Sequence, residues 1–371
     1  MLLLAYRNLF QSKSKLLLST GGLALALLLV LALDAILTGT ETQIAAYINH
    51  AGADVWVSQS GVRNMHMSSS TLPASTTDRV RSVSGVGEVT PILFLTSFVQ
   101  AGNDRHIVYL IGLPPDAAMG RPWKLAAGAA LPHPGQVVID SSVAKTTNTS
   151  LGDSVRILDK SYRVTGLAEG TANIVNSIAF ISMADFQKLR GSASAVSYLL
   201  VRDANGRSPE QVAAAIGSAL PDATVQTSSA FAASERRVVS DMVIDIANIM
   251  NVTGLMIGLA VMALSIYTVT LSRRAEYGLL KAVGATNREL YSVVLAQSFI
   301  ALVLGLGLSV LLVLAMSIAV PVVRPSLAME LTAGSVIKVS LMALVIATVA
   351  SVLPVRQIAN LDPASVFRRK L

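Results

Sequence analysis

Four stretches of this chain stay apolar long enough to cross a bilayer, and a long segment of strand-length apolar runs separates the first from the second. Leu16 to Leu37 is 22 residues with one charge, Asp34, and about 20 apolar residues span the hydrocarbon. A cleaved signal peptide has an apolar core of only about 7–15 residues, so residues 16–37 read as a permanent first span. The second span covers residues 244–271, the third 291–320 and the fourth 336–353. Ahead of them, residues 1–15 carry Arg7, Lys13 and Lys15 and no acid, with Leu2, Tyr6, Leu9 and Phe10 near one helical face. That pattern fits a short helix lying in the membrane interface.

Residues 38–243 are different in kind, with 16 Lys/Arg balanced by 16 Asp/Glu. Apolar runs at 53–58, 97–100, 106–110, 136–140, 155–158, 162–165, 179–182 and 197–201 predict strands. Helices are predicted over Thr77–Val83, Ser182–Leu189 and Ser208–Leu220. Ser182 with Asp185 is spaced as a capping box, and Ser208, Pro209 and Gln211 form a strong helix start. The mixture predicts a folded α+β domain rather than a loop. Gly112–Gly135, rich in Pro and Gly, reads as a crossing between subdomains, and residues 231–245 as a helical stalk entering the second span.

Between the second and third spans lies a charged segment, residues 272–290. Tyr277, Leu280 and Gly284, with Leu279 and Val283, recur at helical spacing, while Arg273, Arg274, Glu276 and Lys281 supply polarity. Gly284 stands where a left-handed C-cap would stop a helix. Thr286 and Glu289 are spaced as the capping box of the next one. The expectation is a rigid small helix on the membrane surface, tied to a span on each side.

Composition and charge sharpen this picture. Only 14% of the 371 residues are charged, 53% are apolar and the mean hydropathy is +0.60, whereas soluble chains carry about a quarter charged residues. Residues 1–15, the 272–290 loop and the 354–371 tail hold eleven Lys/Arg against one in the 321–335 linker. By the positive-inside rule those three segments are cytoplasmic, and residues 38–243 and 321–335 are extracytoplasmic. The formal charge of +7 is therefore a topology signal and not a nucleic-acid footprint. There is no cysteine, hence no disulfide framework or thiolate metal site.

Candidate chemistry is sparse. There is no GxxxxGK[ST] for a triphosphate, no HExxH and no GxSxG, so neither catalysis nor a bound cofactor is expected. His50, His66, His106 and His133 are scattered. Met65-His66-Met67 has soft ligands in a row, but a solvated or partner-contact loop is the ordinary explanation. Within the spans, Asp34 reads as an interfacial carboxylate facing water. A solute pathway usually shows ionisable residues near the midplane, and none is apparent. Gly254-x-x-x-Gly258 is a helix-packing pattern, either a dimer seam or a contact within one subunit.

Residues 273–285, Arg-Arg-Ala-Glu-Tyr-Gly-Leu-Leu-Lys-Ala-Val-Gly-Ala, resemble the signature cytoplasmic loop of the MacB/FtsX/LolC-type (type VII) ABC transporter permeases. The likeness covers the whole chain: one span, a large outer domain, then three spans with the signature between the second and third. The tail 354–368 is similar to the family's closing segment, and 151–167 resembles part of its outer domain. Residues 53–61 and 68–73 are similar to the DevC-like branch.

The fold expected is thus a membrane protein with four transmembrane α-helices and a large extracytoplasmic α+β domain between helices 1 and 2. The resemblance implies a multi-pass subunit of the cytoplasmic (inner) membrane. It would act with a separate ABC ATPase that handles ATP and Mg, a second permease copy in a homodimer, membrane lipids and often a periplasmic adaptor. Residues 276–283 would be the coupling helix that holds the ATPase. Its charged contacts would be Arg273, Arg274, Glu276 and Lys281, and Gly278 and Gly284 would allow close approach and the turn. Three functions are compatible: exporter of an amphipathic or hydrophobic substrate by mechanotransmission, FtsX-like transmitter activating a cell-wall hydrolase, and ATPase-independent anchored binding or sensor protein.

Overall fold

The computed structural model describes residues 13–355 except 103, 174, 175, 205, 325 and 353. The interfacial helix expected over residues 1–15 and the 354–371 tail fall almost entirely outside them. The chain divides into a helical unit (Met1–Thr38, Val243–Val320 and Met329–Leu371) and an α/β unit (Gly39–Met242 with Pro321–Ala328).

The first helix, α1 (Lys13–Ile44), contains no proline and is dominated by Leu and Ala; an unbroken helix satisfies every backbone polar group internally, as a bilayer demands. A short α2 (Ala46–His50) leads into the α/β unit. Its elements are β1 (Val55–Gln59), β2 (Leu72–Pro73), α3 (Thr76–Arg81), β3 (Val86–Ala101), β4 (Asp104–Leu113), β5 (Leu125–Gly128) and β6 (Gln136–Asp140), followed by α4 (Ser141–Thr146), β7 (Ser154–Ile157), β8 (Lys160–Ala168) and β9 (Ser177–Ser182). Then come α5 (Met183–Arg190), β10 (Ala195–Val196), β11 (Tyr198–Asp203), α6 (Pro209–Ala219) and β12 (Ala223–Thr227).

The long strand β3 organises this unit. Its first half pairs with β11, in the antiparallel ladder β12-β1-β11-β3. Its second half pairs with β4, from Leu93↔Gly112 to Ala101↔Asp104. From there the pairing runs β4-β9-β6-β8-β7 and returns from β7 to β3, closing a six-stranded ring. Closure leaves no free edge on those strands. The ring is filled by Leu93, Leu110, Val137, Ile139, Ile157, Val164, Ala179 and Ile181, with Phe186 of α5 fully buried among them. The switch between the two halves therefore lies inside β3. Gly112–Gly135, expected as a subdomain crossing, instead links two strands of the ring and contributes β5 to its margin. Glycine and proline marked irregular backbone there, not a boundary.

Period-2 alternation sorts the open ladder into two faces. Val55, Val57, Leu199 and Val201 pack on Val80 of α3 and on Val212 and Ile216 of α6. The alternate residues Trp56, Tyr198 and Leu200 face an aromatic core with Tyr47, Phe94, Tyr109, Phe180 and Phe231. Both predicted helix starts are made. Ser182 Oγ accepts from the Asp185 N–H, and Ser208 with Gln211 forms a complete capping box on α6.

After β12 the chain enters α7 (Ser228–Ser272), 45 residues without a break, about 67 Å at 1.5 Å per residue. Next are α8 (Arg274–Ala282), α9 (Asn287–Val323) and α10 (Ala333–Ala350). Among the described residues four helices, α1, α7, α9 and α10, are long and apolar enough to span a membrane. Their shared core joins Leu23, Leu27 and Leu31 of α1 to Met262 and Ile266 of α7, Val293 and Leu302 of α9, and Val339, Ala343 and Ile346 of α10.

One expectation changes here, and one left open gains contacts. Asp34 is no open carboxylate facing water. Its side chain is only 19% exposed and accepts a hydrogen bond from Lys338 Nζ of α10 at 2.7 Å. Lys338 lies inside the fourth span, and pairing is what makes such an intramembrane charge tolerable. The glycine motif packs within one chain. A Cβ on Gly254 would collide with Val30 of α1, and one on Gly258 would lie 3.0 Å from Ile346 Cδ1 and 3.6 Å from Ala26 Cβ. Gly254→Ala is expected to destabilise the full chain by about 1–3 kcal/mol through overpacking. Gly307→Ala, where a Cβ meets nothing within 4 Å, should be neutral or stabilising by about 0.5–1 kcal/mol. Thermal unfolding in detergent compares the two; equal midpoints would contradict this packing.

Candidate functional site

The short helix α8 is built by its two ends. At Arg273 the backbone leaves helical geometry, while the Arg273 N–H still reaches Thr270 O at 3.2 Å. The Arg273 guanidinium donates to Glu276 Oε2 at 3.0 Å. At the far end Gly284 has φ +106°, a conformation that side-chain-bearing residues rarely adopt. The Gly284 N–H reaches Lys281 O at 3.0 Å and the Ala285 N–H reaches Leu280 O at 2.9 Å, which is the Schellman pattern. The Thr286 N–H then donates to Glu289 Oε2 at 2.9 Å, and the Glu289 N–H returns to Thr286 Oγ1 at 3.4 Å. One helix stops and another starts within four residues, 283–286.

The structure separates the sequence-predicted residues into an inner and an outer set. Tyr277 is 1% exposed within the helical core, and Gly278 beside it is buried. Arg273, Leu280 and Lys281 are half-buried, with Arg273 engaged by Glu276. Arg274, Glu276 and Gly284 are exposed, as are Leu279 at 54% and Val283 at 82%. Helical spacing had grouped Leu279 and Val283 with Tyr277. In fact the i, i+4 pair Leu279/Val283 forms an apolar patch bordered by Glu276 on the surface away from the core. Such a patch offers protein contact, not chemistry. Among the described residues no cluster of three or more metal-ligating His, Cys, Asp or Glu side chains occurs.

In the α/β unit the first turns of α7 hold a second constellation that sequence reasoning missed. Phe231 stacks on Trp56 with ring centroids 5.0 Å apart. One turn later Glu235 is 1% exposed. Its carboxylate accepts the Met65 N–H and contacts His66 Nδ1 at 2.7 Å. Burial first, and then the Glu235 charge, push the Tyr109 and Tyr198 hydroxyls above the usual phenol range. Met65-His66-Met67 is thus not a simple solvated loop. Met65 and His66 are held on the root of α7, and only Met67 projects, 68% exposed. An acid at 235 followed by Arg236 and Arg237 looks like a solvated helix surface, so no local signal marked it.

The MacB-like periplasmic core domain model matches residues 16–219, and the FtsX-like permease C-terminal model matches residues 248–363. The chain belongs to this family of ABC transporter permeases. A Mycobacterium tuberculosis protein named as an uncharacterized ABC transporter permease is 22% identical over 374 residues, 99% of each chain. A Methanocaldococcus jannaschii protein of the same description is 25% identical over 234 residues, 59% of this chain and 57% of its own. The solved periplasmic region of MacB from Actinobacillus actinomycetemcomitans aligns at 18% identity with a TM-score of 0.37, covering 49% of this chain and 92% of that one. The extracellular domain of the noncanonic ABC-type transporter YknZ from Gram-positive bacteria aligns at 12% identity with a TM-score of 0.36, covering 47% and 98%. Membership makes this chain a membrane-spanning permease subunit and implies a partner ATPase.

In the permease, Glu235→Ala leaves the Met65 N–H and His66 without their buried acceptor and should cost about 1–3 kcal/mol of stability. Glu235→Gln, which keeps an acceptor, should cost less, and Met67→Ala on the surface should stay within about 0.5 kcal/mol. Chemical unfolding of the full chain measures all three; an unperturbed Glu235→Ala protein would contradict the role given to the carboxylate.

Proposed function

We propose that this permease couples a separate ATPase, docked on α8, to movements of its extracytoplasmic domain, and so exports or extracts an amphipathic substrate without a channel through the bilayer. The observation that carries this reading is the exposed Leu279/Val283 patch on a helix fixed at both ends. A partner pressing there moves α7 and α9 rather than a slack loop. The charge asymmetry supports a cytoplasmic α8, with both termini on the same side and the α/β unit outside. Continuity of α7 from Ser228 to Ser272 supports transmission toward Phe231 and Glu235. The absence of a P-loop motif from the sequence supports a partner that supplies ATP and Mg. A second copy of the permease and a periplasmic adaptor complete the proposed assembly.

The experiment is a pull-down from native membranes in mild detergent, with ATP hydrolysis assayed in the eluate. Wild-type chain should bring down a P-loop polypeptide at about one per permease. Val283→Glu, which puts a charge on the most exposed position of the patch, should lower the co-purifying activity about tenfold or more, since removing a central apolar anchor commonly costs about 2 kcal/mol or more. Its abundance and melting should be unchanged. Undiminished ATPase recovery would sink docking at this face, and a clean wild-type eluate would favour an anchored binding protein.

A further inference from the structure

A cleft of about 570 Å³ opens in the α/β unit, lined by β4, α4, the start of β9 and the segment that follows α9. Its volume falls in the range of small-molecule sites, about 300–1,000 Å³. Arg105 of β4, Lys145 in the last turn of α4 and Arg324 just past α9 line it, and no carboxylate does among the described residues. None of the three cations has an ion-pair partner among those residues. The Arg105 guanidinium carbon sits 4.8 Å from the centre of the Phe98 ring, which orders it without neutralising it. Asp140, next to Ser142 of the lining, is buried, and its carboxylate is occupied by hydrogen bonds from Ser142 and Thr171. A cleft lined by one sign of charge concentrates the opposite ion.

The rest of the lining narrows the ligand. Ser177 is buried, and its Oγ has no hydrogen-bond partner among the described residues; a native protein rarely leaves such a group unmet unless something else meets it. Val322 and Val323, the last residues of α9, also line the cleft and are 80% and 78% exposed. Three cations and an unmet hydroxyl suit a phosphate or carboxylate group, and Arg matches such oxygens in paired geometry. Exposed valines at the end of a membrane-spanning helix suit an apolar chain.

We propose that this cleft binds the anionic headgroup of an amphiphile, with the attached apolar chain lying along Val322 and Val323. Binding itself stands on the cleft alone; its use as a substrate port rests on the exporter reading above.

The test uses the full chain in neutral maltoside micelles, without its ATPase. Dihexanoyl phosphatidic acid, dihexanoyl phosphatidylcholine and inorganic phosphate are titrated separately by calorimetry. Phosphatidic acid should bind about tenfold or more tighter than the other two, because only it offers both the anion and the chain. Arg105→Gln/Lys145→Gln/Arg324→Gln should weaken it about tenfold or more, and Lys145→Gln alone in the same direction. Arg156→Gln/Lys160→Gln/Arg163→Gln, which removes three exposed cations of the β7–β8 hairpin, should leave it unchanged. Equal loss in both triple variants would reduce the effect to overall charge and overturn the site. Phosphate binding as tightly as phosphatidic acid would overturn the amphiphile, and phosphatidylcholine doing so would overturn the anion. Any of these failures leaves ATPase docking on α8 standing. Conversely, headgroup binding without ATPase recovery would remove the exporter reading and leave the site.

Discussion

The stop and restart of helix at residues 283–286 is the constraint on which the rest of this permease depends. A helix end leaves backbone donors and acceptors unpaired, and caps that pair them fix where each helix stops and starts. Here the Gly284 and Ala285 N–H groups close α8, and Thr286 with Glu289 opens α9. Only a residue content at φ +106° can stand at 284. With the ends fixed, Tyr277 can be committed to the helical core, and that commitment turns Leu279 and Val283 outward. The exposed apolar face is a consequence of the caps.

The other end of α7 is anchored by different physics. In the α/β unit the root of that helix is held by a stacked aromatic pair, Phe231 on Trp56, and by a buried carboxylate, Glu235. Aromatic stacking supplies apolar burial, while the carboxylate supplies direction by accepting from one particular backbone N–H and one imidazole. A mispositioned buried charge is costly, so Glu235 fixes register as well as proximity. One continuous helix thus carries a directional anchor at its first turns and leads at its last into α8.

Legibility in the sequence followed the range of the interactions. The spans, the Gly284 stop, the Thr286–Glu289 box and the Ser208–Gln211 box were readable because each depends on neighbours within about four residues. The family followed from the same segment, since the loop at 273–285 is both local and distinctive. What could not be read depends on partners far along the chain. β3 carries Pro91 just before its pairing changes, but nothing local says that the strand continues past it, with β11 and β4 claiming different halves. Asp34 meets Lys338 across 304 positions, and Glu235 meets His66 across 169. At α8 the period correctly placed Tyr277 inside, but it could not say that Leu279 and Val283 fall beyond the edge of the buried stripe.

Docking of an ATPase on that edge is the central claim, and a chain with no cysteine allows a direct test. A single cysteine at Val283, carrying a short photo-crosslinker, would be illuminated in native membranes and the product identified by mass. A polypeptide with a P-loop, captured from position 283 and not from a matched probe at the exposed Leu311 of α9, is the predicted result. Capture of lipid alone at 283, or of the same ATPase from both positions, would contradict the account.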